Sequence, residues 1–341
     1  MRQATMADLD EIMTIIDGAK AQLAAAGSPQ WQDGYPNRDT LTRDLEAEAV
    51  VVLMSNGRIA GTASLIVGVE PTYATVYDGE WAAPTAAYAT IHRIAISRDF
   101  AGAHLGRIFF ATILTHLYAQ GLRWVRLDTH RQNRAMQHLA TTFGFSHRGT
   151  IRIDHGEDRD RLAYEVNLGD NGTLVRTATE ADLPQMLAIL NEAKAQMLAG
   201  GNNQWLGDYP NAAVLNDDIA RGAAKVLLVH GQVAGTASVI VGIDADYAGG
   251  DWRDDVSPYA AIHRVAIARA YAESHLGRLF FDTLISDALA TGVHHFRIDT
   301  SVHNGAMQHL ALALGFESRG LLNIYRAPNM DTTWPIFELA L

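Results

Sequence analysis

Two hexapeptides carry much of what could be chemistry in this chain: IHRIAI from Ile91 and IHRVAI from Ile262. Each puts a histidine, His92 or His263, inside an apolar run that reads as a strand. A free imidazole changes charge near neutral pH, so a strand histidine facing a cleft can take a proton from a reacting group. Downstream, RLDTHRQNRAMQHLA from Arg126 and RIDTSVHNGAMQHLA from Arg297 repeat a carboxylate, Asp128 or Asp299, and a helix histidine, His138 or His309. The carboxylates are the next base candidates, and His138 is a conceivable acid. Between these strings lie AGAHLGRIFF from Ala101 and AESHLGRLFF from Ala272, glycine-bearing turns that lead into helices. Backbone N–H groups at such a turn and helix start form a ready anion site. Gly102, His104, Leu105, Gly106 and Arg107 make up the first turn, and Gly277 and Arg278 stand at the matching places in the second. Arg107 and Arg278 read equally as phosphate partners or as solvated helix residues. The plain structural alternative makes the strand histidines backbone-bonded and the helix histidines packed or solvated.

The elements that must position these groups come in two copies. RQATMADL from Arg2 returns as RTATEADL from Arg176, QWQDGYPN from Gln30 as QWLGDYPN from Gln204, and GTASLIVG from Gly61 as GTASVIVG from Gly235. A repeat of this length is a domain rather than a solenoid unit. The expected domains are residues 1–168 and 174–341, joined by the Asn-, Asp- and Gly-bearing stretch NLGDNGT at Asn167–Thr173. The copies lose register only between Glu70–Ala86 and Asp244–Ser257, which reads as a loop. Within the first copy, helical spacing predicts helices over Ala7–Ala25, Arg38–Glu46, Leu105–Ala119 and Asn133–Phe143. Strands are expected in AVVVLMS, IAGTASLIV, TIHRIAI and VRLD, and around Gly149–Asp154 and Leu162–Asn167, with a hairpin turn at Asn56-Gly57. That order is α/β: a mixed sheet with helices on both faces.

Composition narrows the function. The chain has 341 residues, 48% of them hydrophobic and 19% charged, as in an ordinary soluble protein. There is no Cys, which removes disulfides, thiolate metal ligands and a covalent thiol nucleophile. The fourteen His residues include no HxxxH or HExxH pair, so no metal is expected. A formal net charge of −11 disfavours nucleic acid. No apolar run reaches bilayer length and the first residues do not read as a secretory signal, so the expectation is a cytoplasmic protein without membrane contact.

The strand–glycine turn–helix, followed by strand–Asn–helix–GF, resembles the GNAT N-acetyltransferase superfamily. The resemblance rests on IHRIAISRDFAGAHLGRIFF, on RLDTHRQNRAMQHLATTFGF and on their counterparts, and it covers nearly all of each copy. It implies a tandem pair of GNAT-like domains with acetyl-coenzyme A as co-substrate, the halves packing as an intramolecular pseudo-dimer. The acceptor would be a small-molecule or peptide amine. It further implies that the backbone of Ile94, Ala95 and Ile96, and of Val265 in the second copy, meets the acetyl group, with Asn133 and Asn304 near the pantetheine arm; both Asn also suit an N-cap. By the same resemblance the QW loops, with Trp31, Tyr35, Trp205 and Tyr209, line the acceptor side or anchor the loop.

The sequence also departs from the family. Its usual turn is Arg/Gln-x-x-Gly-x-Gly/Ala, whereas here Ala101 and His104 hold the first two signature places. The amides can still bind if φ stays negative at His104. The tyrosine that often protonates the leaving thiolate is Ala140, and Ala311 in the second copy. Gly102 becomes Glu273, and His130, Arg131 and Arg134 become Ser301, Val302 and Gly305. The first copy is therefore expected to bind the coenzyme better. A catalytically inactive coenzyme-binding or regulatory module with a structural C-terminal half is the rival reading. Strand alternation adds one more expectation: only one of His92 and Arg93 can face the cleft.

Overall fold

The computed structural model describes residues 1–102, 104–156, 158–253, 258–272, 274–324 and 332–341. They divide into two compact units, Met1–Leu174 with Val229–Gly231, and Val175–Leu228 with Gln232–Leu341.

The first unit opens with β1 (Arg2–Gln3), α1 (Leu9–Ala25) and α2 (Arg38–Glu46). The first helix starts at Leu9 rather than Ala7 because Thr5 and Asp8 close a capping box over a preceding short turn. The second starts where expected, with the Asn37 side chain accepting from Thr40 N. Then come β2 (Val50–Ser55) and β3 (Arg58–Val67), joined through Asn56 and Gly57, both at positive φ (51° and 72°) as a type I′ hairpin requires. The rest is β4 (Tyr88–Ile96), α3 (Leu105–Ala119), β5 (Trp124–Thr129), α4 (Arg134–Thr142), β6 (Ser146–Arg152) and β7 (Asp160–Asn167). β6 begins three residues earlier than the sequence pattern indicates. Gly149, at φ 129°, sits at a register shift inside the strand rather than at its start.

The seven strands run β1-β2-β3-β4-β5-β7-β6. All neighbours are antiparallel except β4 and β5. On one face α1 and α2 bury Ile12, Ile16, Leu41 and Leu45 against Val50, Val52 and Ala95. On the other, α3 buries Phe109, Phe110 and Ile113, and Phe110 meets Phe143 and Phe145 at 5.1 and 5.6 Å between ring centres. Gly61 makes that approach possible, since a Cβ there would lie 2.7 Å from Ile96 Cδ1 and 3.3 Å from Phe109 Cδ1.

Two irregularities open the sheet. The β3–β4 register shifts between Thr62↔Ala95 and Ser64↔His92, and Arg93 sits in the bulge at φ 52°. The parallel β4–β5 ladder extends only from Tyr88↔Trp124 to Thr90↔Arg126. Beyond it the two strands part, and β4 from Ile91 to Ile96 is left with a free edge on that side.

A buried ion pair backs the opening. Arg126 Nε lies 2.9 Å from Glu165 Oε1, with 2% and 0% of the two side chains exposed. The guanidinium stacks on Trp81 and Tyr88 at 4.2 and 3.9 Å and donates to Ala83 O. Glu165 accepts from Ala82 N, and Trp81 Nε1 donates to Tyr73 O. The stretch between β3 and β4, read as a variable loop, is thus clamped to β5 and β7.

The second unit repeats the plan with β8 (Leu174–Thr177), α5 (Leu183–Ala199), α6 (Ala212–Ala220), β9 (Ala224–Val229), β10 (Gln232–Gly242) and β11 (Tyr259–Ile267), then α7 (Leu276–Leu289), β12 (His295–Asp299), α8 (Gly305–Ala313), β13 (Glu317–Asn323) and β14 (Thr333–Ala340). Its sheet also has seven strands, in the order β13-β14-β12-β11-β10-β9-β8. The bulge recurs at Arg264, φ 53°, and the Arg297–Glu338 pair, at 3.4 Å, recurs against Trp252 and Tyr259.

Removing one member of a buried pair strands the other as an uncompensated charge. Glu165→Ala is expected to lower the unfolding free energy of the first unit by about 3–5 kcal/mol, read in a denaturant titration. An Arg126→Met, Glu165→Leu double variant is expected to recover most of that loss.

Candidate active site

Where β4 and β5 part, the first unit holds a cleft of about 750 Å³. His92, Ile94, Ala95, Ile96, Gly106, Asp128 and Asn133 all line it, together with Trp31 and Tyr35. Other residues picked from sequence stand elsewhere. His138 is exposed on α4 and does not line the cleft, so the geometry gives it no role as an acid. Gly102, His104, Leu105 and Arg107 belong to the turn and first residues of α3 outside the cleft wall, of which Gly106 alone takes part among the described residues.

Side chains from three elements converge on one end of the cleft. His92 Nε2 lies 3.2 Å from Glu70 Oε2. The bond from His92, opposed by burial, holds the Glu70 carboxyl below the usual carboxylate range. Asp128 Oδ1 accepts from the Tyr73 hydroxyl at 2.8 Å. Burial, and then Asp128, push the Tyr73 hydroxyl well above its ordinary range, so Tyr73 stays a donor and fixes one carboxylate oxygen. Neither Glu70 nor Tyr73 was apparent as functional from the motifs, because they fall where the copies lose register. A signal was nevertheless present: an acid and a tyrosine three residues apart recur as Asp244 and Tyr247.

Arg93 lines the cleft as well as His92, against the expectation from strand alternation. The bulge breaks the two-residue period at that point. The guanidinium is held by Asp44 (Nη2–Oδ2 2.6 Å), Ser64 Oγ and the Tyr35 hydroxyl. The QW loop is anchored as well: Gln30 Oε1 accepts from Asn133 Nδ2 and His130 N, while Asn133 Oδ1 caps α4 by accepting from Met136 N. The N-cap reading of Asn133 and the anchoring reading of the loop therefore both hold, with Trp31 and Tyr35 still on the cleft wall.

The turn departs from expectation. His104 has φ 56° and His275 φ 57°, both left-handed, so the negative φ that sequence reasoning required is not met. Histidine is among the side chains that tolerate this region, and left-handed residues in a turn direct amides toward a shared concavity. Arg107 Nε is buried without a hydrogen-bond partner, as is the Nε of Arg278 in the second unit. Its counterpart Arg278 donates to Ala313 O and approaches Asp282 at 3.3 Å; Ala111 stands at the Asp282 place in the first unit. The extra cations of the first copy are partly spent, since His130 and Arg131 both pair with Asp158. Arg134 remains at the cleft. Glu273 lies outside the described residues.

The second unit has a smaller cleft, about 380 Å³, lined by His263, Val265, Asp299, Asn304 and Trp205 among others. His263 stands between Asp244 (3.3 Å) and Asp299 (3.6 Å), and Tyr247 donates to Asp299 at 2.9 Å. Gln204 repeats the clip on Asn304. Among the described residues no group of three or more His, Asp or Glu side chains could hold a metal ion, and no helix is long and apolar enough to cross a membrane.

The model of the acetyltransferase (GNAT) family matches residues 18–145 and again 191–316. Solved structures similar to this chain each cover about half of it. An acetyltransferase of the GNAT family from Streptococcus agalactiae 2603 is 35% identical over 49% of this chain and 93% of its own, with a TM-score of 0.45. A ribosomal-protein-alanine N-acetyltransferase from Brucella melitensis is 26% identical over 49% and 99%, TM-score 0.38. An acetyltransferase from Salmonella typhimurium, solved with its cofactor acetyl-CoA, is 20% identical over 50% and 94%, TM-score 0.37. No curated protein sequence matches the chain.

The burial of Asp282 beside Arg278 sets a pH dependence in the second unit. Burial raises the Asp282 carboxyl from 3.8 to about 6, only partly offset by Arg278. The folded state therefore holds more protons than the unfolded chain between these values, and stability falls as pH rises through that window. Asp282→Asn is expected to flatten this slope and to raise stability at neutral pH by about 2 kcal/mol, read by thermal or denaturant unfolding across pH.

Proposed function

Because the chain belongs to the acetyltransferase (GNAT) family, we propose that its first unit transfers an acetyl group from acetyl-coenzyme A to an amine by direct attack within a ternary complex. The observation that carries this reading is the parting of β4 from β5 beside the His92–Glu70 pair and Asp128. Residues 1–168 and 174–341 are read as two acetyltransferase domains of a cytoplasmic enzyme, with a small-molecule or peptide amine as acceptor.

The residues present fit the coenzyme. The free edge of β4 at Ile94–Ile96 offers backbone N–H groups to a carbonyl oxygen. Gly106 and the start of α3 offer an anion site, and Arg107 brings a guanidinium with an orphaned Nε. When bound, the coenzyme supplies an activated acetyl thioester whose thiol has a modest pKa, so its departure needs little help. That accords with Ala140, fully buried at the place of the usual acid.

The acceptor arrives as an ammonium and must lose a proton. Glu70 and Asp128 attract it, and His92 takes the proton, with Glu70 stabilising the imidazolium that results. Asp128, oriented by Tyr73, holds the amine in line. Most of the rate enhancement then comes from positioning. The second unit keeps the same acid–base residues in a smaller cleft, but Arg278 is engaged by Asp282 and Ala313. We therefore assign the tighter coenzyme site to the first unit.

Thiol release from acetyl-coenzyme A over a panel of amines tests the reaction in the full chain. His92→Gln is expected to lower kcat/KM by about 10²-fold or more, with His138→Gln close to the parent. Silence across the whole panel despite coenzyme binding would favour the inactive-module reading. Calorimetric titration of the full chain with the coenzyme is expected to show one tight equivalent, weakened by Arg107→Glu. Two equivalents of equal affinity would refute the assignment to the first unit.

A further inference from the structure

One cation at the acceptor end is not used by the transfer chemistry. Arg161, on β7, lines the cleft and is only 6% exposed. Its Nη1 donates to the carbonyls of Asp158 and Asp160 at 2.7 and 2.9 Å. Among the described residues no carboxylate forms an ion pair with it, and its guanidinium makes no other hydrogen bond. A buried guanidinium without a carboxylate is costly, which is why its pKa is pushed down by burial before the surrounding carboxylates lift it.

The carboxylates around it are mostly committed. Asp33 pairs with His155 at 2.7 Å, Asp158 with His130 at 2.9 Å and Asp160 with Arg152 at 3.1 Å. Among the described residues Asp128 is held by the neutral Tyr73 hydroxyl alone. It also stands on the same face as Arg161: Asp128 pairs with Ala163 in the β5–β7 ladder, and Arg161 is two positions from Ala163. Among the described residues the cleft thus presents a carboxylate and a guanidinium on one sheet face, neither of them in an ion pair. A ligand that satisfies both carries an ammonium and an anion on one small body.

Among the described residues the second unit does not repeat this feature. Asp299 pairs with Ile336 in the matching ladder, and two positions before Ile336 stands Trp334, fully buried and donating to Ile324 O. The acid–base residues are kept there while the cation is replaced by an indole.

We propose that Arg161 binds an anionic group of the acceptor, so that the first unit selects amines bearing a carboxylate or phosphate and not simple cationic amines. This rests on the cleft being the acceptor site of the proposed reaction. The guanidinium's remaining donors match either anion.

Matched probes on the full chain separate the possibilities: β-alanine, its amide, and phosphoethanolamine. Each is measured both by calorimetric binding and as an acceptor in thiol release. The expectation is at least about tenfold tighter binding of one or both anionic probes than of the amide. Arg161→Gln should erase that ratio while changing the amide by no more than about twofold, and Arg161→Lys should keep part of it. The two anionic probes tell carboxylate from phosphate. Because the ratio is internal to each variant, a general loss of folding, followed by thermal melting, cannot mimic it. Equal binding of acid and amide by the parent, equal losses in Arg161→Gln, or no binding of any probe would overturn the proposal. Binding preference without transfer would support it and count against the reaction alone. Transfer to acid and amide alike would do the reverse.

Discussion

A continuous ladder of hydrogen bonds and an open cleft cannot occupy the same stretch of sheet. This chain resolves the conflict with one residue held at positive φ. Arg93 bulges out of β4, the register against β3 shifts, and the pairing with β5 stops after Thr90. Everything at the candidate site follows from that break. It frees a backbone edge at Ile94–Ile96, brings two successive side chains to the cleft, and leaves space where β5 would otherwise lie. Arginine has no intrinsic preference for that backbone region. Its side chain compensates through Asp44, Ser64 and Tyr35, which ties α2, β3 and the QW loop to the bulge.

An opening in a sheet also needs a rigid surround. The Arg126–Glu165 pair provides it by fastening the β3–β4 connection from below. Buried ion pairs are seldom net stabilisers; their geometry, however, is directional. Here it fixes Trp81, and through it Tyr73, and hence one oxygen of Asp128. The same chain of contacts recurs around Arg297, Glu338, Trp252 and Tyr247.

The repeat, the element order and most element limits were legible in the sequence, because apolar periodicity and Asn, Gly and Pro punctuation are local signals. The Asn133 cap and the Asn56-Gly57 turn were legible for the same reason. The bulge was not. A bulge changes which face a side chain takes without altering the residues themselves, and so His92 and Arg93 were read by simple alternation. Glu70 and Tyr73 were missed because the length difference between copies masks their correspondence, although the acid–tyrosine spacing survives on either side of it. His138 is apparent as a titratable group, but only the orientation of α4 shows that it faces solvent. The left-handed His104 was also beyond local reading: His is compatible with several turn conformations, and the chain context selects one.

The residues that would move a proton sit on β4, β5 and a loop clamped into the core, where a change disturbs many partners. Arg161 sits near the tip of a hairpin that is tied to its neighbours through His155–Asp33 and Asp158–His130. A change at Arg161 would leave the His92–Glu70 pair and the Tyr73–Asp128 bond in place. In the other copy Trp334 stands at the Arg161 place, while His263, Asp244, Asp299 and Tyr247 repeat the arrangement of His92, Glu70, Asp128 and Tyr73. The two copies thus differ at one hairpin position while four neighbouring side chains keep one arrangement.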